Sequence, residues 1–287
     1  MGAFRISRWG NKLSYTPGIY DGVSNADYHA DPALGSTSLK TLATRTPAHY
    51  QHELKHPKSS AAFDLGTAAH SLILEGDESG VVVIDVADKR GAKWTEPAGK
   101  AEAAGKIALT SKEWAQVKGM RDSVMRHEVA GPLFTGHKAE QSVLWDEDGQ
   151  LYKCRPDAQQ PGVLVDLKTT LSADPNEFGK VAHNFGYHQS AAHYIDGWKV
   201  ATGDELPFRF VLVEKTAPYL VSVVELDWEA IDLGRALNDR AKRIYRECSD
   251  SGKWPGYPTA EPIALPTYAV YQTEDLLGID NTLELKL

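Results

Sequence analysis

The sequence predicts an α/β chain in which a mixed β-sheet carries helices on its faces. Three observations predict it. Short β-branched apolar runs bounded by turn residues stand at 163–168, 208–214 and 220–225. Stretches with apolar residues at helical spacing, such as Trp114, Val117, Met120 and Val124, lie before, between and after those runs. The resulting order of helices, three strands, helix, two strands and helix contains no internal repeat and no interdomain linker.

Residues 1–35, rich in Gly, Asn, Asp and Tyr without a sustained period, read as an extended lead-in. A first helix begins at Ser36 or Ser38, either a good N-cap, and stops near Thr46 and Pro47. A second spans about 60–75 and stops at Gly76. It contains GTAAH (66–70), whose small residues permit close packing and whose His70 follows Gly66 by one turn. Residues 81–86 form a strand, and the Gly/Ala/Lys stretch up to 108 reads as a surface loop. Thr110 opens a third helix through a capping box to Glu113, and Gly131-Pro132 ends it. Residues 139–157 read as a β-hairpin turning at DEDG (146–149). After the strand at 163–168, Asp174-Pro175 caps a helical region broken near 184–186 and ending near Thr202. Strands 208–214 and 220–225 precede a long amphipathic helix from Trp228 to Cys248. From Gly252 the chain is punctuated by proline, and 272–287 reads as an acidic, weakly structured tail. The domain reading is a lead-in over 1–35, a single domain over 36–268 and a tail over 269–287.

Hydrophobic content of 42% and charged content of 24% are those of an ordinary globular protein. No stretch approaches the roughly 18 apolar residues of a membrane span, and the N-terminus lacks a signal-peptide apolar core, so the expected location is the cytoplasm. Two cysteines, Cys154 and Cys248, make neither a disulfide framework nor a four-thiolate iron–sulfur site. The formal charge of −8 argues against a broad basic surface for nucleic acid, but a locally basic channel is compatible with an acidic exterior.

The chemistry-bearing stretch is KCRPDAQQPGVLVDLKTT (153–170). On a strand, alternation puts Asp166 and Lys168 on one side and Val165 and Leu167 on the other. The preceding segment, joined through a short loop, brings Asp157 beside Asp166 at the end of the same sheet. Two carboxylates and an amine gathered in this way suit a hard divalent cation with a water beside it. The bland reading of the same residues is a turn-forming Asp and an exposed ion pair, and His70 alone reads as an ordinary hydrogen-bonded histidine.

A Pro-Asp pair followed by DxK on the next strand resembles the PD-(D/E)xK nuclease superfamily. Within it GTAAH (66–70), Pro156-Asp157, DLK (166–168) and YHQSAAHYIDG (187–197) are similar to the RecB-type branch, above all to the nuclease domain of RecE (exonuclease VIII) and related phage proteins. The segments GIYDGVSNADYH, STSLKTLATRTPAHY and WPGY add to the likeness, which extends from about residue 18 to 268. The resemblance implies a restriction-endonuclease-like core flanked by helices and phosphodiester hydrolysis with Mg²⁺ or Mn²⁺. It assigns Asp157, Asp166, the Leu167 carbonyl and His70 to the metal, and makes Lys168 the group that orients water and stabilises charge on phosphorus.

The branch usually carries Gln and Tyr four residues apart on the helix after DxK. Here Gln189 precedes Tyr194 by five and Ser190 stands at the four-residue offset, so either Gln189 serves or Ser190 replaces it. Glu140 is either a further carboxylate at the metal or an exposed strand residue. Arg155 and Arg45, with Lys40, either hold DNA phosphates or pair with neighbouring acids. The resemblance further implies a 5′→3′ exonuclease acting on double-stranded DNA ends, yielding mononucleotides and a 3′ overhang. It also implies a ring-shaped homo-oligomer, a tetramer, and a RecT-like single-strand annealing partner. An endonuclease on the same scaffold and a catalytically silent DNA-binding or phage module are the alternatives. Closed circular duplex separates the first, and loss of all cleavage the second.

Overall fold

The structure is a computed structural model and describes residues 6–9, 12–56, 64–259 and 262–279. The chain opens with an antiparallel pair, β1 (Ile6–Trp9) and β2 (Lys12–Tyr15), then β3 (Gly18–Tyr20) and α1 (Asn25–Ala30). Helices α2 (Ser36–Thr44), α3 (Pro47–Lys55) and α4 (Asp64–Leu74) follow. Strands β4 (Val81–Ile84) and β5 (Ile107–Thr110) pair in parallel around α5 (Ala92–Ala103). Next come α6 (Ser111–Arg126), α7 (Ala130–Leu133), β6 (Lys138–Ala139), β7 (Ser142–Glu147), β8 (Gln150–Cys154), β9 (Ala158–Gln160) and β10 (Val163–Thr170). The C-terminal half holds α8 (Pro175–Phe185), α9 (Tyr187–Thr202), β11 (Phe208–Glu214), β12 (Val221–Glu225), α10 (Trp228–Ser251) and α11 (Thr267–Leu277).

The principal sheet has the order β12-β11-β10-β9-β6, with β10 and β11 parallel and the other neighbours antiparallel. This is the expected mixed sheet. Alternation along β10 divides the core: Leu164 joins a cluster with Leu39, Ile195 and Ala241 from α2, α9 and α10, whereas Val165 and Leu167 join Leu72, Val117 and Met120 from α4 and α6. Helices therefore cover both faces. Because Val165 and Leu167 are fixed in one apolar layer, Asp166 and Lys168 must emerge on the other face, toward the strand's C-terminal end.

Several expectations are corrected. The lead-in is not merely extended: β3 adds to the β7-β8 hairpin, and α1 is bound by Lys153, whose Nζ donates to the carbonyls of Tyr28 and Asp31. Pro47 opens a second helix instead of ending the region, because Thr46 supplies an N-cap and proline suits the first helical position. The expected loop up to 108 contains α5 and β5, since a parallel partner strand is a non-local pairing that local composition does not reveal. The hairpin turns where expected but belongs to the separate sheet β3-β7-β8. Residues 267–277 of the weakly structured C-terminal region form α11, which has no buried residue. The expected start of the second helix near residue 60 and the end of the tail, 280–287, lie outside the described residues. Among the described residues no helix is long and apolar enough to cross a membrane.

Candidate active site

Strand register assembles the site. β9 pairs antiparallel with β10 so that Ala158 faces Val165, which sets Asp157 next to the Asp166-Leu167 step. The Leu167 N–H donates to Asp157 Oδ2 at 2.6 Å, and His70 Nδ1 on α4 lies 3.6 Å from the same oxygen. Lys168 Nζ touches Asp166 Oδ1 and sits 5.1 Å from the centre of the Tyr187 ring. Gly66 makes the approach of α4 possible: a Cβ there would stand 3.3 Å from Thr169 Oγ1 on β10. One turn later the same helix delivers His70.

His70, Lys168 and Tyr187 line a cleft of about 900 Å³ together with Glu75, Glu140 and Arg155, while Asp157 and Asp166 stand just behind its wall against His70 and Lys168. Burial pushes the Glu140 carboxyl up to about 8; the charges of Asp157, Glu75 and Asp166 add to it, and Arg155 opposes. Burial works to lower the Lys168 pKa, but the carboxylates of Asp166 and Asp157 outweigh it and hold the ammonium above its ordinary value. These carboxylates favour the charged form of Lys168.

The donor chemistry fits a hard divalent cation: two aspartates and an imidazole on adjoining elements, with the aspartate charges close enough to help raise the Glu140 carboxyl. As the side chains stand, no three His, Cys, Asp or Glu donors among the described residues converge on one point. Asp157 Oδ2 accepts from a backbone N–H and Asp166 Oδ1 touches Lys168, so one oxygen of each carboxylate is already engaged.

The remaining candidates divide. Glu140 lies between β6 and β7 with φ +50°, not on the hairpin strand, and this turn aims it into the cleft. Arg155 is no free phosphate clamp: it is buried, donates to Ser142 Oγ and the Val23 carbonyl, and stacks on Tyr28 at 4.0 Å. Its Nη1 is 3.8 Å from Glu140, so it acts on the site as a fixed cation behind that carboxylate. Arg45 is paired with Glu53 at 2.6 Å and is not among the cleft-lining residues. Leu167, whose carbonyl is the expected metal ligand, has its N–H held by Asp157. Gln189 is 1% exposed and its amide makes no hydrogen bond, while Ser190 Oγ donates to the Gly186 carbonyl of its own helix. Neither reaches the cleft wall. Tyr194 packs against Phe208, and burial holds its phenol well above the ordinary range.

Sequence reasoning missed Tyr187 and Glu75. Tyr187 begins α9 after Gly186, whose φ of +64° makes the sharp break, so its place was marked by the break itself. Glu75 follows Ser71 by four residues, a signal too common to act on. Lys40, a candidate from the sequence, lies along Gly186 and donates from Nζ to the Phe185 carbonyl at 3.4 Å.

A family model described as a PDDEXK-like domain of unknown function (DUF3799) matches residues 35–264. No curated protein matches the sequence significantly. Among solved structures, the chain is similar to a protein of Eubacterium rectale proposed to be an exonuclease. The TM-score is 0.61 and the identity 16%, over 90% of this chain and 98% of that one. A phage-related exonuclease from Haemophilus somnus 129PT superposes with a TM-score of 0.35 and 12% identity, over 77% of this chain and 96% of that one. Only the first of these similarities is that of a shared fold.

Proposed function

Because this chain belongs to the PDDEXK-like family, we propose that it is a metal-dependent DNA exonuclease that hydrolyses phosphodiester bonds from double-stranded ends. The observation that carries the reading is the meeting of Asp157, Asp166, Lys168 and His70 at the edge of one cleft, brought there by β10, α4 and the loop between β8 and β9. Packing alone does not require two acids, an amine and an imidazole at one sheet end.

Asp157 and Asp166 would hold Mg²⁺ or Mn²⁺, and His70 would add a nitrogen better suited to Mn²⁺. When bound, a divalent cation supplies Lewis-acid polarisation of the phosphate and a more acidic water. Lys168, kept protonated by its acidic neighbours, places a positive charge where negative charge develops on the phosphoryl oxygens. Tyr187 supports that ammonium from below through its ring face.

The finer reading is degradation of one strand 5′→3′, release of mononucleotides, a 3′ overhang and supply of that overhang to a RecT-like annealing protein. It is supported by the likeness of GTAAH, PD, DLK and the α9 segment to RecE. The same likeness supports a ring-shaped tetramer, whose basic channel would reconcile DNA binding with a net charge of −8. Linear duplex labelled at the 5′ or the 3′ end, and closed circular duplex, should be incubated with Mg²⁺ or Mn²⁺. Loss of linear DNA from its 5′ label with circular DNA intact is the expected result. Cleavage of the circle would replace the exonuclease by an endonuclease, and no cleavage of either would remove the enzymatic reading.

A further inference from the structure

An aromatic ladder runs from the core into the cleft and ends in an open ring. Its inner rung is Phe210 on β11, 1% exposed. Tyr187 stacks on Phe210 at 5.8 Å and 28°. Phe185, at the end of α8, stacks on Tyr187 at 5.6 Å and 19°. Phe185 lines the cleft, yet it is 62% exposed. One face is thus supported and the other is offered to solvent.

The local backbone makes this arrangement rigid. Gly186 in the left-handed region turns the chain sharply between α8 and α9, which lets residues on either side of it stack. Lys40 reaches across the turn to the Phe185 carbonyl. Burying a large ring against its own neighbours costs nothing in the core and would have been the ordinary outcome for phenylalanine. An exposed ring stiffened from beneath is a surface suited to a flat, apolar ligand.

We propose that Phe185 is a stacking platform for a nucleobase of the strand being cut, and so a substrate-positioning residue. The inference rests on the nuclease reading of the cleft and adds the part of the substrate that Phe185 contacts. Lys168 Nζ lies 5.1 Å and the Phe185 ring centre 5.6 Å from the centre of the same Tyr187 ring, and all three residues line the cleft. A phosphate at Lys168 therefore leaves its own or the adjacent base within reach of Phe185. A base turned out of the duplex onto protein gives up its pairing and its stacking there, so the platform would favour a frayed or single-stranded terminus at the site. Stacking uses the π-face common to all four bases and confers no sequence preference.

The test is a cycle of protein and DNA changes, read as Kd by fluorescence anisotropy in EDTA, where no cutting intervenes. The probe is a duplex with a short 5′ single-stranded end, and a set in which each terminal nucleotide in turn is abasic. F185A should weaken binding roughly 5- to 150-fold, the range for one stacked base. F185W should stay within about threefold of wild type, because it restores the π-face. At one abasic position wild type should fall to the F185A level and F185A should not fall further. Melting temperatures equal to wild type in both variants would exclude a folding defect, as expected for an exposed ring. Unchanged binding by F185A, or equal losses at every abasic position in both proteins, would overturn the platform while leaving the nuclease assignment intact. Failure of wild type itself to bind any of the probes would overturn the platform, while the nuclease assignment is decided separately by cleavage of linear duplex with Mg²⁺ or Mn²⁺.

Discussion

Lys168 shows how a side chain acquires a role from its neighbours. Alone it is a lysine at a strand end; beside Asp166 and Asp157 it is an ammonium held charged. Lys168→Ala should lower the cleavage rate by about 10²- to 10³-fold, the usual effect of removing one positioned stabiliser of transition-state charge. DNA affinity should change little, and single-turnover cleavage with an anisotropy measurement separates the two. Arg155 makes the opposite case. Its guanidinium joins α1 to the hairpin through Ser142, the Val23 carbonyl and Tyr28, so Arg155→Ala should cost on the order of 3 kcal/mol of stability. Urea denaturation should show the loss, with DNA affinity per folded molecule preserved. A stable Arg155→Ala protein with weakened DNA binding would restore Arg155 to the phosphate contacts.

At the scale of elements, α9 is the piece on which the site depends without its residues reaching the metal ligands. It packs under α10 so closely that a Cβ on Gly234 would lie 2.3 Å from the His188 carbonyl oxygen. Gly234→Ala should therefore destabilise by about 1–3 kcal/mol, whereas Gly179→Ala, in the middle of α8 with nothing near its missing Cβ, should be neutral or stabilising by up to about 1 kcal/mol. Equal urea midpoints for the two variants would contradict this packing. The same helix meets the hairpin through His193, whose Nε2–H donates to the Lys153 carbonyl at 3.0 Å. Burial pushes the His193 imidazole down to about 4. Folding then favours the neutral ring, so its contribution is complete above the unfolded pKa near 6.5 and fades as pH falls toward 4. The loss is about 3 kcal/mol over that window, and His193→Gln should flatten the pH dependence of the unfolding free energy there.

For the whole molecule, the balance of charge is the organising fact. The chain carries −8 overall; Glu75 and Glu140 line one cleft, and Asp157 and Asp166 lie close enough for their charges to act on Glu140. Such a group repels itself until a cation is shared, so Mn²⁺ or Mg²⁺ should raise the melting temperature and EDTA should reverse the rise. A free cation at a hundredfold above its Kd corresponds to about 2.7 kcal/mol. Asp157→Asn should remove most of this stabilisation; an equal shift in that variant would place the cation elsewhere. Such a comparison tests the ligand set without relying on catalysis.

Local chemistry made a large part of this protein legible from its residues. The turn at 146–149, the capped starts at Thr110 and Asp174, and the break at 184–186 are decided by groups within a few residues, and β10 to α10 followed as expected. The alternation of Val165, Asp166, Leu167 and Lys168 fixed which side chains share a face. Pairings across long stretches were not legible: the partnership of β4 with β5, the separate hairpin sheet, and the attachment of the lead-in by Lys153 and Arg155. Among the candidate site residues, sequence alone supplied the identities of Asp157, Asp166, Lys168 and His70. Tertiary structure decided that Arg155 is internal, that Gln189 is sealed behind the cleft and that Phe185 is left open within it. The division has a single cause. Backbone propensity and side-chain alternation act over a few residues, whereas burial and charge environment depend on what the rest of the chain brings alongside.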